Sequence, residues 1–359
     1  MTSKCKKIFL GANSTEGFVS YFKDCYDPRD GWKAYIIKGG PGTGKSHFMK
    51  TVAENAANSG FLPVLCYCGS DPDSLDGIII EEKKTVFLDG TAPHTVDPVF
   101  PGACEEILNL GEFWNSDMLF QNREKIIDVC DRNRFFHAAA ARCLSAAGQL
   151  KKDNLKTAHK ALKFRKADRF ADNLIKKYLK PRTCRGKRFN CFISGVTPKG
   201  VINFTDTVTE HYKETVVIED KFGAAAAHIM QRVCTAAVAG GYSVTAVKDP
   251  FLPEEITSHV LIKELSLAFV TENDDIRFDL DTRRIHARRF YDSAVLHASR
   301  NRRLFNRRIG KALILSACKN LSKAKAEHDN IESFYIKAMD FSKVRRLARK
   351  ISGILFDKQ

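Results

Sequence analysis

Eight residues carry the clearest chemistry in this sequence. Gly39-Gly40-Pro41-Gly42-Thr43-Gly44-Lys45-Ser46 fit the pattern G-x-x-x-x-G-K-[ST]. Glycines let such a turn curl until successive backbone N–H groups point inward at phosphate oxygens. The helix that follows adds its positive N-terminal end. Lys45 then reaches toward the β- and γ-phosphates, and the Ser46 hydroxyl is placed to ligate Mg²⁺. His47 follows on the first turn of the same helical pattern and is counted with the loop.

A magnesium partner is expected at the end of another strand. "KTVFLDG" supplies it as Asp89 after an apolar run, followed by Gly90 rather than by the Glu that serves many ATPases as base. Candidates to orient water or an acceptor hydroxyl are Asp71, Asp73 and Asp76 in "GSDPDSLDG", and His94 in "DGTAPH". Ordinary turn chemistry and capping explain the same acids equally well. The Asn/Thr-Lys-x-Asp tetrapeptide of guanine-selective sites does not occur, which favours ATP over GTP.

These groups need a scaffold. "KAYIIK" predicts a strand before the loop, and Lys45 to Ala57 a helix after it. "LPVLCYC", "GIIIEE" and "KTVFLD" read as further strands. Apolar runs of this length with helical crossovers predict an α/β fold with a mostly parallel sheet and helices on both faces. From Arg123 to Lys180 there is no Pro and one Gly, and apolar residues recur at three- and four-residue steps. That segment predicts a helical hairpin beside the body, turning near Gly148 to Asn154 and ended by Pro181.

Sliding the chain by 181 residues lays Ile37 on Ile218, Gly42 on Gly223, Met49 on Met230 and Gly60 on Gly241. A second offset, 171, lays Leu144-Ser145-Ala146 on Leu315-Ser316-Ala317. The sequence therefore predicts a duplication into tandem P-loop NTPase domains, each followed by a long basic helical hairpin. The halves are 1–188, with its arm at about 115–180, and 189–359, with its arm at about 285–357. In the second half Gly44, Lys45 and Ser46 become Ala225, Ala226 and Ala227, Asp220 stands where Gly39 was, and Asp89 falls on Val270. That copy should be catalytically dead. It has Arg283, Arg284, Arg288 and Arg289 to lend to the first site, although a solvated basic face accounts for them more simply.

Net charge is +16, unevenly spread. Residues 122–189 hold 20 Lys/Arg against 6 Asp/Glu, and residues 283–350 hold 19 against 5. Basic arms are thus attached to acidic bodies. They fit a nucleic acid or another polyanion, or they neutralise the bodies within the chain or in a homodimer. Eleven cysteines read as reduced thiols, and neither Cys66/Cys68 nor Cys184/Cys191 has zinc-ribbon spacing. The N-terminal apolar stretch is too short for a signal peptide and no run suits a membrane helix, so a cytoplasmic location is expected.

"IIKGGPGTGKS", "SDPDSLDG", "LDGTAPHTVDPVFPGACEEILNLGEFW", "TPKGVINF" and "HDNIESFYIKAMDF" together resemble a bacterial family of tandem P-loop ATPases. In that family both halves keep the loop and a "TAPH"-like segment. Here the second half reads "FGAAAAH" and "TENDD" in their places. The resemblance implies one working ATP and Mg²⁺ site, at Gly39 to Ser46 and Asp89. It leaves three activities open: an ATPase whose nucleotide state moves the arms against an acidic partner, a kinase-type phosphotransferase on a small acceptor, and a scaffold with negligible turnover.

Overall fold

In a computed structural model describing residues 5–356, the first half begins with β1 (Lys7–Ile8) and a hairpin of β2 (Gly11–Ser14) and β3 (Gly17–Ser20). It continues through β4 (Lys33–Lys38), α1 (Lys45–Asn58), β5 (Val64–Tyr67), β6 (Leu75–Ile80), β7 (Thr85–Asp89) and β8 (Glu105–Asn109). Its helices α2 (Ser116–Gln121), α3 (Arg123–Lys160) and α4 (Phe164–Tyr178) follow. The second half repeats this order as β9 (Lys187–Cys191), hairpin β10 (Ser194–Thr197) and β11 (Gly200–Asn203), the short α5 (Asp206–Thr209), β12 (Glu214–Glu219), α6 (Ala224–Ala239), β13 (Ser243–Lys248), β14 (Thr257–Ile262), β15 (Leu267–Glu272) and β16 (Arg284–His286). Helices α7 (Ser293–Ala298), α8 (Arg300–Ala338) and α9 (Phe341–Phe356) complete it.

Each half contains a six-stranded sheet, ordered β1-β5-β6-β7-β4-β8 and β9-β13-β14-β15-β12-β16. The sheets are mixed but mostly parallel, as the apolar runs suggested: in each, five strands run one way and a single strand is reversed. β6 runs antiparallel to both β5 and β7, and β14 to both β13 and β15. Connection length explains this. Only Glu81 to Lys84 join β6 to β7, with Lys84 at φ 46°, and only Lys263 to Ser266 join β14 to β15, with Ser266 at φ 48°. A parallel neighbour needs a crossover of a dozen or more residues.

The arms depart from the sequence reading. α3 is one unbroken helix of 38 residues, about 57 Å long, with no turn near residue 148. Gly148 is instead a point of close approach, where any Cβ would collide with Thr15 in the β2–β3 turn. The reversal falls later, at Ala161 to Lys163, and α8 repeats the plan with 39 residues.

Each arm then crosses to the other half. α3 packs along α8. α4 lays Ala167, Ala171 and Leu174 against α6 of the second half, and α9 lays Val344, Ala348 and Ile351 against Phe48, Met49 and Val52 of α1 in the first. The i, i+4, i+7 spacing puts each trio on one helix face. Burying Val344 and Ile351 contributes about 1.5–3 kcal/mol each, so α9 belongs energetically to the first body. Anchors at the crossing are reciprocal. Asn115 N–H donates to Ala338 O at 2.9 Å, and Asp292 N–H donates to Ala161 O at 2.7 Å; Lys163 N–H donates to Phe290 O, and Asp340 N–H to Phe113 O. These pairs relate the arms by an offset of 177, not 171.

Many arm cations face acids of the bodies, as Lys151 does Asp249 and Lys152 does Glu16 and Glu255. Among the described residues no helix is long and apolar enough to cross a membrane.

Candidate functional site

The Gly39 to Ser46 segment joins the end of β4 to the start of α1, as its pattern predicts. Gly42 (φ 69°) and Gly44 (φ 90°) are left-handed, which is where glycine is needed, and Gly44 caps α1. Buried Thr43 braces the turn by donating its hydroxyl to Gly40 O at 2.8 Å. Pro41 and His47 line the same cavity, of about 990 Å³, that opens over the loop.

Lys45 Nζ donates to the carbonyls of Gly39 and Gly40, each at 2.9 Å, and lies 3.6 Å from Asp89 Oδ2. Register explains the last contact: β7 runs parallel beside β4, and Ile37 pairs with Asp89. Asp89 is buried, and its other oxygen accepts from Thr91 N–H at 2.8 Å and from the Thr91 hydroxyl at 2.5 Å. Ser46 Oγ accepts from Leu75 N–H at 3.0 Å. A hydroxyl and a carboxylate on one cavity wall form an all-oxygen donor set, which suits Mg²⁺.

The acids after β5 do not act as a group. Asp73 points away, paired with Lys199 at 2.6 Å in solvent. Asp71 lines the cavity, accepts from the Ser74 hydroxyl at 2.8 Å and lies 3.5 Å from Lys325 Nζ. Asp76 is buried on β6, with its Oδ2 3.1 Å from His94 Nε2. Burial acts to lower the His94 pKa, but the charges of Asp76 and Asp89 outweigh it and hold it above its usual value. The His94 ring stacks on Phe22, with centroids 4.5 Å apart.

The sequence did not anticipate the cavity's other walls. α3 contributes Asn133, Arg134 and His137, and α8 of the second half contributes Lys325, His328 and Glu332. Burial and the neighbouring His328 lower the His137 pKa. Glu332 Oε1 accepts from Gly42 N–H at 3.2 Å, so an acid occupies one amide of the cradle. A Cβ at Gly40 would lie 2.6 Å from Tyr335, and one at Gly42 would lie 2.9 Å from Glu332 O. Of the four arginines considered as donors in trans, none lines this cavity. Arg284 is held by Glu272 and by the carbonyls of Phe278, Leu280 and Thr282, and Arg289 stacks on Phe170 and Phe290. One signal was present: His328, Glu332, Tyr335 and Phe341 all belong to the "HDNIESFYIKAMDF" stretch, and all meet the loop or its cavity.

At the matching place in the second half, Asp220 is buried and turned inward. It accepts from Phe222 N–H at 3.0 Å, Ala226 N–H at 2.9 Å and the Tyr291 hydroxyl at 2.8 Å, and that hydroxyl accepts from Ala225 N–H at 2.6 Å. The amides at the start of α6 are thus taken by the protein's own oxygens. Strand register also moves the Asp89 counterpart by one residue. Ile218 pairs with Thr271, so Thr271, not Val270, stands at that position, and it too is no acid. No family model, curated protein or solved structure matches the chain.

Proposed function

We propose that the first half binds ATP with Mg²⁺ and hydrolyses it, while the second half is an inert copy that covers the site. One observation carries this reading: a glycine loop between strand and helix sets Lys45 beside Asp89 in a cavity of about 990 Å³. Lys45 would leave the Gly39 and Gly40 carbonyls for phosphate oxygens, and the loop N–H groups, with Gly42 N–H released from Glu332, would hold the β-phosphate. Ser46 and Asp89 would hold Mg²⁺, which when bound would supply positive charge to offset that of the phosphates. Lys325 and Arg134 face the cavity from the arms and are the cations available to the developing charge. The matching strand orders and reciprocal arm anchors support reading the chain as tandem P-loop domains with exchanged arms.

A polyanion as partner has its own support. Lys163, Phe164, Arg165, Lys166 and Arg169 surround a surface hollow of about 520 Å³ at the start of α4. Phosphotransfer to a small acceptor is favoured by Gly90 standing where a hydrolase would have Glu.

Calorimetry and phosphate release test the reading. Lys45→Ala should weaken Mg-ATP binding about 10- to 100-fold, the value of a charged hydrogen-bonding group. Unchanged affinity would refute the loop's role. Stimulation by DNA or RNA that fades steeply with salt identifies a polyanion partner, and unstimulated slow turnover leaves the transferase reading.

A further inference from the structure

Cys68, Asp76 and His94 come from three separate stretches of the first half and meet at one wall of the cavity. Cys68 follows β5, Asp76 lies within β6, and His94 lies in the segment after β7. One sulfur, one carboxylate oxygen and one ring nitrogen lie within 4.8 Å of one another. The Asp76 and His94 side chains are 7% and 6% exposed.

Their geometry is not that of an ordinary buried acid–base pair. Asp76 Oδ2 is 3.1 Å from His94 Nε2, yet among the described residues this oxygen has no hydrogen-bond partner, and neither has His94 Nδ1. A pair that exchanged a proton would aim the ring N–H at the oxygen, and a buried polar atom without a partner costs about 1–3 kcal/mol. Two donor atoms about 3 Å apart, each about 2.0–2.1 Å from a shared ion, would fit one tetrahedral cation. The ring is held in place by the Phe22 face and the Phe18 edge, at centroid distances of 4.5 and 5.0 Å.

We propose that Cys68, Asp76 and His94 bind a thiophilic divalent cation of the zinc class, leaving one coordination position open to the cavity. A set of one sulfur, one nitrogen and one oxygen donor suits zinc, and Mg²⁺ prefers oxygen alone. Charge favours the assignment. A thiolate, a carboxylate and a neutral imidazole around a divalent cation sum to zero, which a buried site tolerates far better than the bare carboxylate. On binding, the S–H bond breaks, its proton and any proton on the ligating ring nitrogen of His94 pass to water, the sulfur lone pair forms the metal bond, and nothing is oxidised or reduced. The other cluster of metal-type side chains, His328, Asp329 and Glu332, is half exposed on α8 and already engaged by Lys325 and Gly42 N–H.

The site needs no nucleotide, so its test stands apart from the ATP reading. The full chain, stripped by a chelator, is titrated with Zn²⁺ by calorimetry and separately loaded with Co²⁺ for absorption spectroscopy. One tight ion per chain is expected, with a sulfur-to-cobalt charge-transfer band and the intense visible bands of a tetrahedral ion. Cys68→Ser should abolish the charge-transfer band and weaken Zn²⁺ at least about 100-fold, beyond the loss usual for a supporting residue. Lys45→Ala should leave both signals intact, even where it removes ATP binding. No stoichiometric Zn²⁺ in the wild-type chain overturns the proposal, as does a band that survives in folded Cys68→Ser. Should Cys68→Ser not fold, His94→Gln serves, and unchanged Zn²⁺ affinity in that variant overturns the proposal equally.

Discussion

Seating α8 of one half on the glycine loop of the other predicts an unusual penalty at Gly42. Two glycines make the comparison. Gly60 has φ 88° and open space around the position of a Cβ, so Gly60→Ala meets only the left-handed backbone cost, about 1–2 kcal/mol. Gly42 has φ 69°, but a Cβ there would lie 2.9 Å from Glu332 O and 3.1 Å from Glu332 Cα. Those are backbone atoms inside a long helix and do not swing aside. Gly42→Ala should therefore lose the same backbone term plus about 1–3 kcal/mol for overpacking. Fluorescence-monitored urea unfolding is a suitable assay. Both tryptophans, Trp32 and Trp114, lie in the first half, and the Trp114 ring meets Tyr335 of α8 edge-on at 5.7 Å. At equal slope, the midpoint of Gly42→Ala should fall further than that of Gly60→Ala. Equal midpoints would mean that α8 does not rest on the loop, and the crossed-arm arrangement would fail with it.

Ile351→Ala should cost about 2–5 kcal/mol and lower hydrogen-exchange protection in α1 of the first half; loss of protection confined to the second half would contradict the crossing. Asp220→Ala leaves two amides and the Tyr291 hydroxyl without their acceptor and should cost about 3 kcal/mol by urea unfolding, and a loss under about 0.5 kcal/mol would mean that the acid does not hold the second loop. His259 is fully buried, with Nδ1 accepting from Thr271 N–H, and burial lowers its pKa to about 3. The unfolded chain then binds the extra proton first, so this stability is complete above pH 6.5 and declines as pH falls toward 3. The decline is about 1.4 kcal/mol per unit, roughly 3 kcal/mol by pH 4.5. His259→Gln should flatten the urea midpoint against pH over that window, and an unchanged slope would show that another group titrates.

Local features were legible in the sequence and long-range ones were not. The strand–loop–helix around Lys45 and the strand ending in Asp89 were readable because a few adjacent residues decide them. The one reversed strand in each mostly parallel sheet was not, since a buried strand is apolar throughout whether its neighbour runs parallel or antiparallel; four-residue turns such as Glu81 to Lys84 held that information. Gly148 looked like a turn because a helix interior seldom benefits from glycine, yet its use is contact with Thr15, 133 positions away. The arm offset of 171 rested on Leu-Ser-Ala identities, whereas the 177 register rests on small residues and caps that any helix pair uses. Cys68, Asp76 and His94 were invisible as a group because their neighbourhood depends on three strands lying side by side.

The two loops answer one electrostatic problem in different ways. A helix start presents N–H groups whose positive end attracts an acid whenever no phosphate is there. In the second half the acid is Asp220, on the loop itself, buried and braced by Tyr291, so no ligand can displace it without also unpairing a buried hydroxyl. In the first half the acid is Glu332, delivered by the other half's arm and bonded to a single amide at 3.2 Å. Lys45 and Ser46 are likewise held by backbone groups of their own half, each through bonds worth about 0.5–1.5 kcal/mol net. A triphosphate would have to exchange only these few bonds, and the one carboxylate it must displace stands on the arm. On the proposed reading, phosphate at the first loop would repel Glu332 and so couple the loop's occupancy to the position of α8. That would give the second half, whose own loop amides are taken by Asp220 and Tyr291, a mechanical stake in the state of the first.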